Sequence, residues 1–205
     1  MNVFIVNGSN QYYELFASLG HTITSKLEEA DLMIFTGGAD VSPELYGDFM
    51  HALTGNSPER DKEEVKYYNF AVKNDIPMVG ICRGAQFLNV MSGGRMYQHV
   101  TRHTRAHVIT DVLSGETVYV SSTHHQMMMP SPEALLVATA ALGGEREWFD
   151  IGVARKDISK EDIEVVYYKH TNCLCFQPHP EFDSPEYQGM RIYFKGLLQR
   201  FLGVQ

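Results

Sequence analysis

Cysteine is scarce in this chain, with three among 205 residues, too few for the disulfide framework of a small secreted scaffold. Long hydrophobic runs are missing as well: no apolar stretch approaches the roughly 20 residues that cross a bilayer. The start, Met1-Asn2-Val3-Phe4-Ile5-Val6-Asn7-Gly8, has neither a basic n-region nor a cleavage site. It reads instead as a first strand and turn, and the expected location is cytoplasmic. Positive charge is in short supply, 17 Lys and Arg against 25 Asp and Glu for a formal charge of −8. That balance leaves no basic footprint for nucleic acid and no polybasic segment for a membrane surface. Repeats, low-complexity runs and interdomain linkers are also absent. With 44% hydrophobic residues the chain can bury a sizeable core, and its length predicts one domain over residues 1–205.

What is present begins with Gly80-Ile81-Cys82-Arg83-Gly84, directly after the apolar Ile76-Pro77-Met78-Val79. A cysteine between two glycines at the end of a strand describes a nucleophile elbow, in which the chain reverses sharply and a helix starts with the nucleophile at the turn. Flanking glycines suit a turn with little room for a Cβ. The following Ala85-Gln86-Phe87-Leu88-Asn89-Val90-Met91 has helical spacing and stops at Ser92-Gly93-Gly94. Cys82 therefore falls at a helix N-terminus, where the dipole and neighbouring Arg83 favour a thiolate and free amides can receive an oxyanion. The plainer reading is a small buried hydrophobe, which suits Cys173 and Cys175 on their alternating strand.

A second segment favours the catalytic reading. In Phe176-Gln177-Pro178-His179-Pro180-Glu181 an imidazole and a carboxylate stand two residues apart just past a strand, and i and i+2 share a side in extended chain. Glu181 can orient one ring nitrogen of His179 while the other serves Cys82, the pattern of an activated nucleophile.

The wider chain alternates strand-like and helical runs: Val3 to Val6, a helix near Tyr12 to Leu19, Leu32 to Thr36, a helix near Pro58 to Asn74, Met78 to Ile81 and the elbow helix. Ser57-Pro58-Glu59 supplies a cap, proline and acid at a helix start. His107 to Val120 reads as short strands, and Tyr187 to Leu202 as an amphipathic helix with Tyr193, Phe194, Leu197, Leu198 and Phe201 on one side. The predicted fold is α/β, a flavodoxin-like three-layer arrangement around a mostly parallel sheet. Ligands then bind beyond the carboxyl ends of the strands, where Gly37-Gly38, Cys82 and His179 fall.

Taken together, these segments resemble the class I glutamine amidotransferase-like superfamily, in its γ-glutamyl-γ-aminobutyrate hydrolase branch. The resemblance rests on Thr36-Gly37-Gly38-Ala39-Asp40-Val41-Ser42-Pro43-Glu44-Leu45-Tyr46-Gly47, Arg60-Asp61-Lys62-Glu63-Glu64, the elbow, Ser122-Thr123-His124-His125-Gln126 and the His179-x-Glu181 pair. It implies a catalytic triad of Cys82, His179 and Glu181 and an oxyanion hole from the backbone amides of Gly38 and Arg83. It also implies Gln86, His125 and Gln126 near a γ-glutamyl substrate. The implied reaction is hydrolysis of glutamine or a γ-glutamyl amide through a thioester. Departures are Pro178 in place of an aromatic residue, His99 in place of an acid, and an unusual stretch from Ala140 to Val165.

Other classes stay open at this stage: a glutaminase feeding ammonia to a separate synthetase, or a non-catalytic binding protein on the same fold. Homodimerisation is equally open. A cysteine α/β-hydrolase fits less well, because its acid precedes the histidine in chain order and here Glu181 follows His179. No cofactor is expected. The nine histidines invite a metal, and His99, His103 and His107 recur every four residues. Yet that stretch is a poor helix, no carboxylate or cysteine stands at ligand spacing, and the expectation is of no metal. Met127-Met128-Met129 reads as packing.

Overall fold

The computed structural model describes residues 1–204. Its first half alternates β1 (Asn2–Val6), α1 (Asn10–Ser18), β2 (Thr22–Ile23), β3 (Leu32–Phe35), α2 (Pro58–Lys73), β4 (Met78–Ile81) and α3 (Arg83–Met91). Its second half is mostly strand: β5 (Arg95–Tyr97), β6 (His99–Val100), β7 (His107–Asp111), β8 (Thr117–Val120), β9 (Met127–Met129) and β10 (Leu135–Ala140). These are followed by β11 (Glu145–Asp150), β12 (Val153–Ile158), β13 (Asp162–Tyr168), β14 (Cys173–Phe176) and the helix α4 (Gln188–Leu202).

A nine-stranded sheet in the order β2-β1-β3-β4-β14-β13-β10-β7-β8 forms the middle layer. β2 to β14 in that order run parallel, and β13, β10, β7 and β8 continue antiparallel. Period-two alternation divides the core. Leu32 and Ile34 of β3, with Leu174 and Phe176 of β14, pack with α1 and α4, while Met33, Phe35, Cys173 and Cys175 face α2 and α3. Helices therefore cover both faces, as the alternation predicts, and the two spare cysteines are core residues. On α4, Tyr193, Phe194, Leu197 and Leu198 are buried and Phe201 packs beside them.

One local expectation is corrected. Pro58 opens α2 with Glu59 and Asp61 in the first turn, but Ser57 makes no side-chain capping bond. The Asp61 carboxylate is committed elsewhere, accepting from the Ser42 amide at 3.0 Å. The segment from Ala140 to Val165, which gave no clear pattern, holds the β11–β12 hairpin, paired through β11 to β6. Its two-residue turn is Ile151-Gly152, with φ of 49° and 76°. Left-handed backbone at both positions marks a type I′ turn, for which Asn-Gly is the usual signal.

Candidate active site

The elbow is built from backbone proximity. A Cβ on Gly80 would overlap the backbone of Gly84 and Ala85, and one on Gly84 would overlap the carbonyl of Phe35. Strand β4 and helix α3 can meet this closely only because both residues lack a side chain. Between them Cys82 adopts φ 52°, ψ −112°, a conformation that costs a non-glycine residue about 1–3 kcal/mol and is held only by its surroundings. Those surroundings are explicit: the Cys82 amide donates to the Phe176 carbonyl at 2.9 Å, and its carbonyl accepts from Gln86 N at 3.1 Å.

Strand β14, next to β4, delivers the second part of the site. Past Phe176 the chain carries His179 and Glu181, both buried, with Nδ1 of His179 2.7 Å from Oε1 of Glu181. His179 stands beside Cys82, close enough for the thiol to act on its titration. Burial disfavours its imidazolium, but Cys82 and Glu181 outweigh that and lift its pKa to about 10. The structure thus brings the three sequence-selected residues together.

The Gly37-Gly38 loop closes over them. A Cβ on Gly37 would lie 3.4 Å from Cε1 of His179 and 3.8 Å from Cβ of Cys82. Gly38 has φ +148°, and a side chain there would strike the guanidinium of Arg60. Arg60 donates to the carbonyls of Gly37 at 2.9 Å and Thr36 at 3.0 Å, and Arg83 donates to that of Ala39 at 3.2 Å. Both guanidinium groups are held by α2: Glu64 pairs with Arg60 at 2.7 Å and with Arg83, and Asp61 pairs with Arg83. Burial and the neighbouring Arg60 bring the Arg83 pKa down to about 10. The carbonyls of the loop are thus tied back to side chains held by α2. This explains the Arg-Asp-x-x-Glu pattern at residues 60–64.

Cys82, Arg83, Gly38, Gln86, Thr123, His125, Gln126 and His179 all line one cavity of ≈ 290 Å³, together with Asp40 and Leu53. That is near the lower limit of about 300 Å³ for small-molecule sites. Gln86 spans its floor, donating to the Gln126 carbonyl at 3.1 Å and Gln177 Oε1 at 3.2 Å. The side chain of Gln126 turns away to the Gln98 carbonyl at 3.0 Å and the Thr54 hydroxyl at 3.1 Å, so it braces the wall. His125, partly exposed, pairs with Asp40 at 3.1 Å, and that contact raises its pKa.

Two residues at the site carry no sequence signal of their own. The Thr123 hydroxyl lies 2.8 Å from Nε2 of His179, the nitrogen not used by Glu181. Tyr12 of α1 accepts from the Gly37 amide at 3.0 Å, and burial followed by the nearby Glu181 carboxylate pushes its phenol pKa up. Tyr12 reads as one more apolar position of a helix, and Thr123 is identifiable only as a neighbour of His124-His125.

The architecture and this constellation define the glutamine amidotransferase class I fold. A glutamine amidotransferase from Thermotoga maritima superposes with a TM-score of 0.63, covering 98% of this chain and 84% of that one at 16% identity. Within that class, the Peptidase C26 family pattern matches residues 16–141, and the chain belongs to the Peptidase C26 family. It is 29% identical over 202 residues to the glutamine amidotransferase-like protein YvdE of Lactococcus lactis, spanning 83% of this chain and 78% of that one. It is 28% identical over 173 residues to the gamma-glutamyl-gamma-aminobutyrate hydrolase of Escherichia coli O157:H7, spanning 78% and 67%. The protein is accordingly a glutamine amidotransferase-like hydrolase. Among the described residues no helix is long and apolar enough to cross a membrane.

Proposed function

We propose that the chain hydrolyses the γ-amide of glutamine or of a γ-glutamyl amine, with Cys82 as nucleophile, His179 as acid and base, and Glu181 as its orienting carboxylate. The observation that carries this reading is the buried Glu181–His179 hydrogen bond set in one cavity with the cysteine of the strained elbow. The Cys82 thiolate attacks the γ-carbonyl carbon. The carbonyl π electrons move to oxygen, and the resulting oxyanion is received by the amides of Gly38 and Arg83, each worth roughly 3 kcal/mol in comparable sites. The His179 imidazolium gives its proton to the departing nitrogen as the C–N bond breaks, leaving a γ-glutamyl thioester. Neutral His179 then takes a proton from water, whose oxygen attacks the thioester carbonyl and expels the thiolate. Glutamate and ammonia or an amine leave.

Gln86, His125 and Asp40 are the polar groups available to the glutamyl end of the substrate. Thr123 holds His179 from its second nitrogen in the resting state and gives it up when a substrate nitrogen arrives. The activity of the named E. coli relative favours a γ-glutamyl amine over free glutamine. The test is glutamate release by the purified chain from glutamine and a panel of γ-glutamyl amines, with Cys82→Ala as control. Cys82-dependent turnover of at least one amide is expected. Equal turnover by the variant would refute the assignment.

A further inference from the structure

Beneath the pocket wall lies a second cluster that the reaction above does not use. His103, His107, His124 and Glu164 are all buried, with His103 and Glu164 at 0% exposure. Oε1 of Glu164 has three imidazole nitrogens around it: Nε2 of His107 at 3.1 Å, Nδ1 of His103 at 3.3 Å and Nε2 of His124 at 3.8 Å. Only the first of these is a hydrogen bond. Both ring nitrogens of His103, Nε2 of His124 and Oε2 of Glu164 have no hydrogen-bond partner among the described residues.

The orientation of the rings sharpens the point. Nδ1 of His124 lies 2.8 Å from the Gln126 carbonyl and Nδ1 of His107 lies 3.1 Å from the Arg105 carbonyl. A carbonyl can only accept, so both Nδ1 atoms carry the proton. In a neutral His124 ring the lone pair is then on Nε2, which faces the carboxylate of Glu164 without a hydrogen bond, whereas Nε2 of His107 donates to that carboxylate. A lone pair aimed at a buried anion repels it; a cation between them reverses the sign. Backbone carbonyls behind the imidazoles are the usual outer partners of metal-bound histidines. Behind His103 the same place is taken by Asp162, whose Oδ1 lies 3.5 Å from Nε2.

The spacing fits as well. With metal–ligand bonds of about 2.0–2.1 Å, neighbouring ligand atoms of a tetrahedral site stand about 3.3 Å apart. The separations of 3.3 and 3.8 Å from Glu164 to His103 and His124 bracket that edge. Charge-assisted hydrogen bonds would sit at about 2.7–2.9 Å. His103, His124 and Glu164 offer ligand atoms within 4.8 Å of one another. We propose that His103, His124 and Glu164 bind a divalent cation of the zinc type, a structural site buried behind the active-site loop. Sequence spacing concealed it because the carboxylate, Glu164, comes from strand β13, 40 residues beyond His124.

Such a site has a structural consequence for the pocket. The Ser122 hydroxyl donates to the His103 carbonyl, and Thr123, between Ser122 and His124, contacts His179. The cation would pin the Ser122–Gln126 segment on both sides of Thr123.

The test uses the full chain stripped with a chelator and titrated with Zn²⁺ and with Co²⁺. The expected results are one metal ion per chain by elemental analysis, a rise in Tm, and the intense visible ligand-field absorption of tetrahedral Co²⁺. His124→Gln and Glu164→Gln are expected to weaken binding by more than about 100-fold, and Asp162→Asn by about 10- to 100-fold, the range for outer-shell partners. His51→Gln and His170→Gln, at other histidines, leave binding unchanged. Should the ligand variants fail to fold, the wild-type Co²⁺ form still decides, because the paramagnetically shifted ring protons must belong to His103 and His124. The proposal is overturned if the wild-type chain takes up no metal at equimolar Zn²⁺ or Co²⁺. It is equally overturned if binding survives Glu164→Gln, is lost in His51→Gln or His170→Gln, or shifts the rings of other histidines.

Discussion

Replacing Glu181 by Gln isolates what the carboxylate does for His179. The substitution is isosteric at a buried position, and its carbonyl oxygen can keep the 2.7 Å contact with Nδ1. What it loses is charge. A hydrogen bond to a charged group contributes about 1.5–3 kcal/mol and a neutral one about 0.5–1.5, so the imidazolium loses about 1–1.5 kcal/mol of stabilisation. At 1.36 kcal/mol per pKa unit that is roughly one unit. The His179 pKa, held at about 10 by Cys82 and Glu181 against burial, is expected to fall by that amount. The transition state in which His179 carries the proton loses the same energy, about tenfold in kcat/KM. The assays are an NMR titration of the His179 ring and steady-state hydrolysis of the best γ-glutamyl amide. An unchanged His179 pKa, or full activity in the variant, would refute the role given to Glu181.

Other perturbations follow from the same geometry. Because the folded-state pKa of His179 is raised above its ordinary 6.5, its contribution to stability is complete below about pH 6.5 and is lost as pH rises toward 10. Cys82→Ser should lower that pKa and flatten the fall in stability over this interval, as measured by urea unfolding at a series of pH values. Glu64→Gln leaves Arg60 and Arg83 underpaired in a buried site and should cost about 3–5 kcal/mol, read as a lower urea midpoint with unchanged slope. Gly84→Ala drives a methyl into the Phe35 carbonyl and should cost about 3 kcal/mol, the upper end for overpacking, with loss of activity. Ile151 is 95% exposed in left-handed backbone, so Ile151→Asn should relieve about 1 kcal/mol of strain, visible as a higher Tm with kcat unchanged.

The parts of this site legible in the sequence are those whose chemistry is packed into a few consecutive residues. Gly80 to Gly84 carries its own backbone demand, and His179 with Glu181 carries its own geometry, since extended chain puts i and i+2 on one side. The fold followed from the same local logic, the alternation of Leu32, Met33, Ile34 and Phe35 marking a strand covered on both faces. What stayed hidden depends on long-range meeting. Thr123 reaches His179 across 56 residues and Tyr12 reaches Gly37 across 25, and neither residue type is unusual where it stands. In the antiparallel half of the sheet, β7 and β8 are legible from their alternation of buried and exposed residues. The β11–β12 hairpin was obscured by an isoleucine at a turn position that favours asparagine or glycine.

Whether Cys82 forms a covalent intermediate is the most direct question to put to this protein. The chain is mixed with an excess of the γ-glutamyl amide that turns over best, acid-quenched within one turnover, digested and mapped by mass spectrometry. The account predicts a γ-glutamyl increment on the peptide bearing Cys82, and none in the Cys82→Ala chain. Turnover with no adduct on Cys82, or an adduct on another residue, would contradict it.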